Sequence, residues 1–159
     1  MSRTYRRRGE RHEYHWVLRD WNAPDLPGAR ALHDRHSRAG RRAIADGLLL
    51  VTPEYNNSIP GAMKNAIDWM SRPASDIPRV FGGKPVALMG ATPGRGGTIL
   101  AQAAWLPVLR ALGMRPWFGR TLTVASAGKS FDAQGKLVDE QLRKLLSEFM
   151  AGYAEFLRR

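Results

Sequence analysis

Residues 48–69 read LLLVTPEYNNSIPGAMKNAIDW, and the switch inside this stretch sets the fold. Leu48–Val51 is a continuous apolar run, the pattern of a strand buried on both faces of a parallel sheet. The run stops at a polar loop punctuated by Pro53 and Pro60, and helical spacing begins at once over 61–71. A second unit of the same kind follows. Pro85–Met89 is apolar, GATPGRGG (90–97) is a glycine-rich turn, and TILAQAAWLPVLRAL (98–112) has helical periodicity, which Pro107 should kink or restart later. Trp117–Val124 contains a further strand, FDAQGK (131–136) is a turn, and Asp139–Leu157 is an amphipathic helix. Its apolar face carries Leu142, Leu145, Leu146, Phe149 and Tyr153. Strands alternating with helices define an α/β sandwich around a parallel sheet.

The chain upstream of residue 44 has a different composition. It holds all four histidines, no lysine, and only Val17, Leu18, Leu26 and Leu32 as aliphatic residues larger than alanine. No fully buried parallel strand can be built from it. Tyr14, Trp16 and Leu18 alternate with polar neighbours, the pattern of an edge strand. NAPDLPG (22–28) is turn-rich, and 29–43 predicts a very basic helix. Residues 1–43 are therefore expected to form a basic segment, poorly ordered or confined to an edge, ahead of one domain over 44–159.

Composition narrows the function classes. With 159 residues and 43% hydrophobic content the chain can bury a real core. No apolar run has the length of a membrane span, and the arginine-rich start lacks the apolar stretch of a secretory signal. Cysteine is absent, which removes disulfides and thiolate metal sites. These features point to a cytoplasmic protein. The net charge of +11 is concentrated at Arg3, Arg6, Arg7, Arg8 and Arg11. Such a run is usually a solvated arm, and without zinc-finger spacing or aromatics interleaved with the basic residues a nucleic-acid partner is disfavoured. His12, His15, His33 and His36 make two His-x-x-His pairs, but no strong helical pattern orients the first of them, and no metal is assigned.

In a doubly wound sheet, ligands sit beyond the carboxyl ends of the strands. PEYNNS and ATPGRGG both lie there. Tyr55 offers a surface for stacking, Asn56 and Ser58 offer short polar groups, and the amides opening helix 61–71 offer donors. Gly94, Gly96 and Gly97 let the backbone come close to a flat ligand. Each feature alone also fits an ordinary turn or helix start. Together they suit a planar heterocycle with several hydrogen-bonding edges.

TPEYNNSIPGAMKNAIDW resembles the signature loop and helix of the NADPH-dependent FMN reductases, flavodoxin-like reductases of quinones, chromate and azo compounds. The likeness continues through GKPVALMGATPGRGGTILAQ and FDAQGKLVDEQLRKLL, covering about residues 44–159. It implies FMN and NADPH or NADH as cofactors. Hydride would pass from the nicotinamide through flavin to a quinone-like acceptor, and no catalytic side chain is named. It places Pro53, Glu54, Tyr55, Asn56 and Ser58 at the flavin, Thr92 beside the same ring, and Gly94 and Gly97 where the ring approaches. The second loop is about one residue shorter than the family pattern. The resemblance also implies a homodimer or homotetramer, for which Met63, Ile67, Trp69 and Met70 supply apolar surface on helix 61–71.

The resemblance departs upstream. Family members open with an apolar strand and a Gly-Ser-x-Arg loop that holds the FMN phosphate, and no such segment precedes Leu48. HWVLRDW (15–21) takes the place of the family's second strand. The expected fold is thus a flavodoxin-like sheet without its first strand, through a gene model that starts too late or a true truncation. The expected flavin site lacks its phosphate grip, where each charge-assisted hydrogen bond contributes roughly 1.5–3 kcal/mol. A non-catalytic partner subunit on the same fold is the alternative, with a basic nucleic-acid-binding module behind it.

Overall fold

The computed structural model describes residues 5–7, 10–12 and 45–159. Two short strands, β1 (Tyr5–Arg7) and β2 (Glu10–His12), pair antiparallel as a ribbon separate from the main sheet. The edge strand expected at Tyr14–Leu18, the NAPDLPG turn and the basic helix over 29–43 lie outside the described residues, as do three of the four histidines.

The main sheet is built from β3 (Leu48–Val51), β4 (Pro85–Ala91), β5 (Arg115–Pro116) and β6 (Leu122–Val124), all parallel. Val86 pairs with Leu48 on one side and Pro116 on the other, and Met89 pairs with both Val51 and Leu122. β4 is therefore flanked by β3 on one edge and by β5 and β6 in succession on the other. The strand expected within 117–124 is thus confined to its last three residues, with a separate two-residue piece before it. The interruption falls at WFGR, where a side chain on Gly119 would meet the Trp117 indole at 2.5 Å. Trp117 still donates its amide to the Val86 carbonyl at 2.8 Å, so the edge bends there without leaving the sheet.

Alternation along the strands divides the core in two. Leu48, Leu50 and Val86 face one side, against Met63 and Ile67 of helix α1 (Gly61–Met70) and Trp105 and Leu109 of helix α3 (Ile99–Ala111). Leu49, Ala87, Met89 and Leu122 face the other, against Phe149 and Tyr153 of helix α4 (Glu140–Phe156). This is the expected α/β sandwich. Between α1 and β4 the chain makes a 3-10 turn (Ala74–Asp76) and a short helix, α2 (Ile77–Val80), which sequence periodicity is too brief to show. They bury Val80 and Phe81 under the first layer.

Two local expectations change. α3 starts at Ile99 and runs through Pro107, so of the two roles expected for that proline the later start does not occur. Proline removes the bond to the carbonyl of residue 103, but Ala103 and Pro107 are both exposed, so water can take up that acceptor while Ala101, Trp105 and Leu109 hold the opposite face. On α4, Leu145 is 42% exposed, although helical spacing puts it on the apolar face. The stripe against the sheet is the buried Phe149 and Tyr153 with the partly buried Leu142 and Leu146, and Leu145 lies just past its edge. α4 is capped by Asp139, whose carboxylate accepts from the Leu142 amide at 2.9 Å. It is fastened at the amino end of the sheet by the buried Tyr153 hydroxyl, which lies 2.9 Å from the Leu48 carbonyl and 3.1 Å from that of Pro85.

Candidate functional site

Both expected loops leave the carboxyl ends of neighbouring parallel strands, β3 and β4, at the same end of the sheet. Their roots are packed together. Thr52 donates its amide to the Met89 carbonyl at 2.8 Å, and its hydroxyl accepts from the buried Trp105 indole at 3.3 Å.

The first loop is a tight turn. Tyr55 and Ser58 exchange both backbone hydrogen bonds, at 3.0 and 3.1 Å, and Asn56 and Asn57 between them have φ of 49° and 60°. Asparagine is among the few residues that enter this left-handed region readily, so the Asn-Asn pair builds the two-residue hairpin. Tyr55 is 48% exposed at its base, with Asn56, Asn57 and Ser58 exposed beside it. Glu54 points elsewhere. One carboxylate oxygen, Oε2, accepts from the Leu100 and Ala101 amides, each at 2.9 Å.

The second loop is held from its other flank. Thr92 donates its amide to Val124 and accepts from Ala127, and Gly94 accepts from Ser126, all at 2.9–3.0 Å. The stretch after β6, with Ser126 in the left-handed region at φ 49°, is thereby a third wall that sequence reading missed. Its signal was a run of small residues, ASAG, following an apolar segment. The glycines now separate by role. Gly97, at φ 65° with Thr123 pressed against it, is needed by the fold itself. At Gly94 a side chain would find its nearest neighbour 3.7 Å away, and at Gly96 nothing within 4 Å. The chain's own packing does not require glycine at these two positions, and the backbone there is exposed.

The site thus offers a half-exposed aromatic ring, exposed amide side chains and a glycine-smoothed backbone. This donor set fits a planar heterocycle, and Pro53, Glu54, Tyr55, Asn56, Ser58, Thr92, Gly94 and Gly97 all belong to these two loops. Among the described residues no group of three or more His, Asp or Glu side chains could hold a metal ion.

A parallel α/β sandwich with its ligand loops at the carboxyl end of the sheet is the flavodoxin-like arrangement. Solved structures agree: FerB, a flavoenzyme NAD(P)H:(acceptor) oxidoreductase from Paracoccus denitrificans, superposes with a TM-score of 0.71 at 32% identity, covering 86% of this chain and 74% of FerB. The family model for NADPH-dependent FMN reductase matches residues 35–129, and the chain belongs to that family. An NAD(P)H-dependent FMN reductase of Pseudomonas aeruginosa is 43% identical over 115 residues, 72% of this chain and 60% of the relative. A 2-hydroxy-1,4-benzoquinone reductase of a Burkholderia species is 43% identical over 116 residues, 73% of this chain and 62% of the relative. The alignments thus span about three-fifths of these relatives' length.

Proposed function

We propose that this chain is an FMN-dependent NAD(P)H oxidoreductase of the cytoplasm that delivers electrons to quinone-like small acceptors. The observation that carries the proposal is that the exposed Tyr55–Ser58 turn and the Gly94–Gly96 backbone, whose side-chain positions meet little of the chain, follow neighbouring parallel strands at one end of the sheet. The names of the relatives support it, since one is an FMN reductase and another a benzoquinone reductase. Tyr55 would flank the flavin ring, Asn56 and Ser58 would meet its polar edge, and the backbone from Pro53 to Asn56 would line its side. Thr92, Gly94 and Gly97 would form the opposite wall. Bound flavin supplies the hydride chemistry. The residues of the chain orient the ring and leave one face open for nicotinamide and acceptor in turn.

The test is fluorescence quenching with riboflavin and FMN, followed by NADPH oxidation with and without a benzoquinone. Saturable quenching by riboflavin is expected, because the two loops supply ring contacts, and NADPH consumption should require both flavin and quinone. A chain that quenches neither flavin at micromolar concentration would overturn the proposal.

A homo-oligomer belongs to the same proposal, but not through the residues first expected. Met63 and Ile67 are each 3% exposed and Met70 packs on the core, so only Trp69 of that set faces outward. The unburied apolar face lies on α3, where Ile99 is 57% and Leu106 38% exposed, with Ala103 and Pro107 beside them. Leu106→Glu is expected to convert a dimer or tetramer to monomer in light scattering, with little change in melting temperature. A monomeric parent protein would remove the oligomer from the proposal.

A further inference from the structure

Helix α3 has no cap of its own. Thr98 stands at its N-cap but makes no capping bond, and its hydroxyl accepts from Gln102 Nε2 at 3.0 Å. No acidic residue lies in the first turn. The amides of Leu100 and Ala101 are satisfied instead by Glu54, 46 and 47 residues earlier in the chain. A carboxylate suits this place, since the amino end of a helix carries partial positive charge and unpaired donors. A local Ser, Thr or Asp would cap the helix equally well. A cap taken from the neighbouring loop does something more, because it ties the Tyr55–Ser58 turn to the end of the glycine segment.

We infer that Glu54 is a positioning residue: its side chain acts by fixing the distance between the two ring-binding loops, through the amino end of α3. The inference rests on the flavin reading above. The loops are joined at their roots through Thr52, and beyond the roots each has its own anchor. The first is closed by the Tyr55–Ser58 backbone bonds, and the second is held through Thr92 and Gly94 to the stretch after β6. Glu54 is the side chain that reaches from one to the start of the helix following the other. Without it the Tyr55 wall can drift from the glycine wall while the sheet and core stay formed. Both bonds use the same oxygen, so a neutral amide with its oxygen in the same place can make them with less strength.

The test compares riboflavin affinity in the parent chain, Glu54→Ala, Glu54→Gln and the control Tyr153→Phe. The control removes the hydroxyl bonded to the Leu48 and Pro85 carbonyls at the amino end of the sheet, remote from the loops. Glu54→Ala is expected to bind riboflavin about 10- to 100-fold more weakly, the scale of one charge-assisted hydrogen bond. Glu54→Gln should recover much of that loss. Formate, small enough to occupy the vacated place at the helix end, should restore affinity and the absorption band of bound flavin in Glu54→Ala alone. Tyr153→Phe should lower the melting temperature without changing affinity. Unchanged binding by Glu54→Ala would overturn the inference. So would a loss that formate does not reverse and that Tyr153→Phe reproduces, since that would be general destabilisation. A parent chain that binds no flavin would bring down the functional proposal, and this inference with it.

Discussion

Gly90→Ala is expected to lower the melting temperature by about 6–12 °C, the shift that about 3 kcal/mol of overpacking produces in a domain of this size. An added Cβ would lie 2.0 Å from the Thr52 carbonyl oxygen, 2.6 Å from Thr98 Oγ1 and 2.9 Å from Thr98 Cγ2. Neither neighbour can yield cheaply. Thr52 is fully buried, with its amide bonded to Met89, and Thr98 is fully buried at the start of α3. Gly90 pairs with Thr123 in the sheet, so the strand cannot retreat without breaking its ladder. The displaced groups are the roots of both ligand loops, and flavin affinity should fall with stability. Thermal unfolding and riboflavin titration of the same variant check both effects. An unchanged melting temperature would show that β3 and β4 are less closely packed at this point than the structure has them.

Trp105→Ala is expected to cost about 3–5 kcal/mol, the usual price of deleting a fully buried large aromatic. Trp105 is 0% exposed in the layer between the sheet and the first two long helices, and its indole donates to Thr52. Against a total stability of about 5–15 kcal/mol, this loss could leave the chain largely unfolded at 37 °C. Trp105→Phe separates the two contributions. It keeps most of the apolar volume and removes the donor, so a loss of about 1–2 kcal/mol is expected, with Thr52 left short of one bond. Urea denaturation gives both values. Equal losses in the two variants would mean that the bond to Thr52, and not the packing, dominates at this position.

Much of the domain was legible in the sequence, because short-range pattern and long-range burial agree there. LLLV and PVALM are apolar throughout since both faces of those strands are covered, and the helix after each strand follows from spacing alone. PEYNNS was legible as a loop from its prolines and polar residues, while the left-handed Asn56–Asn57 pair that closes its turn came only from the structure. Where the pattern misled, a neighbour distant in sequence had decided the outcome. Pro107 allowed a later helix start, yet its missing bond falls on the exposed side of a helix whose other face packs on β3 and β4. Leu145 counted as core by spacing, yet the sheet reaches only as far as Leu142 and Leu146. Met63 and Ile67 looked like spare apolar surface until α3 and the sheet closed over them.

The sequence by itself determined β3, β4 and the three long helices, and that the two candidate loops follow those strands, because these depend on side-chain periodicity and turn chemistry within a few residues. Only the tertiary structure decided how the loops are used. It showed that Gly97 serves the fold while Gly94 and Gly96 leave space, that Ser126 and Ala127 form a third wall, and that Glu54 caps a helix almost fifty residues away. A carboxylate has the same chemistry whether it meets a ligand or a helix end, and nothing in its local sequence tells the two apart. Its role is set by which donors the folded chain brings within 2.9 Å.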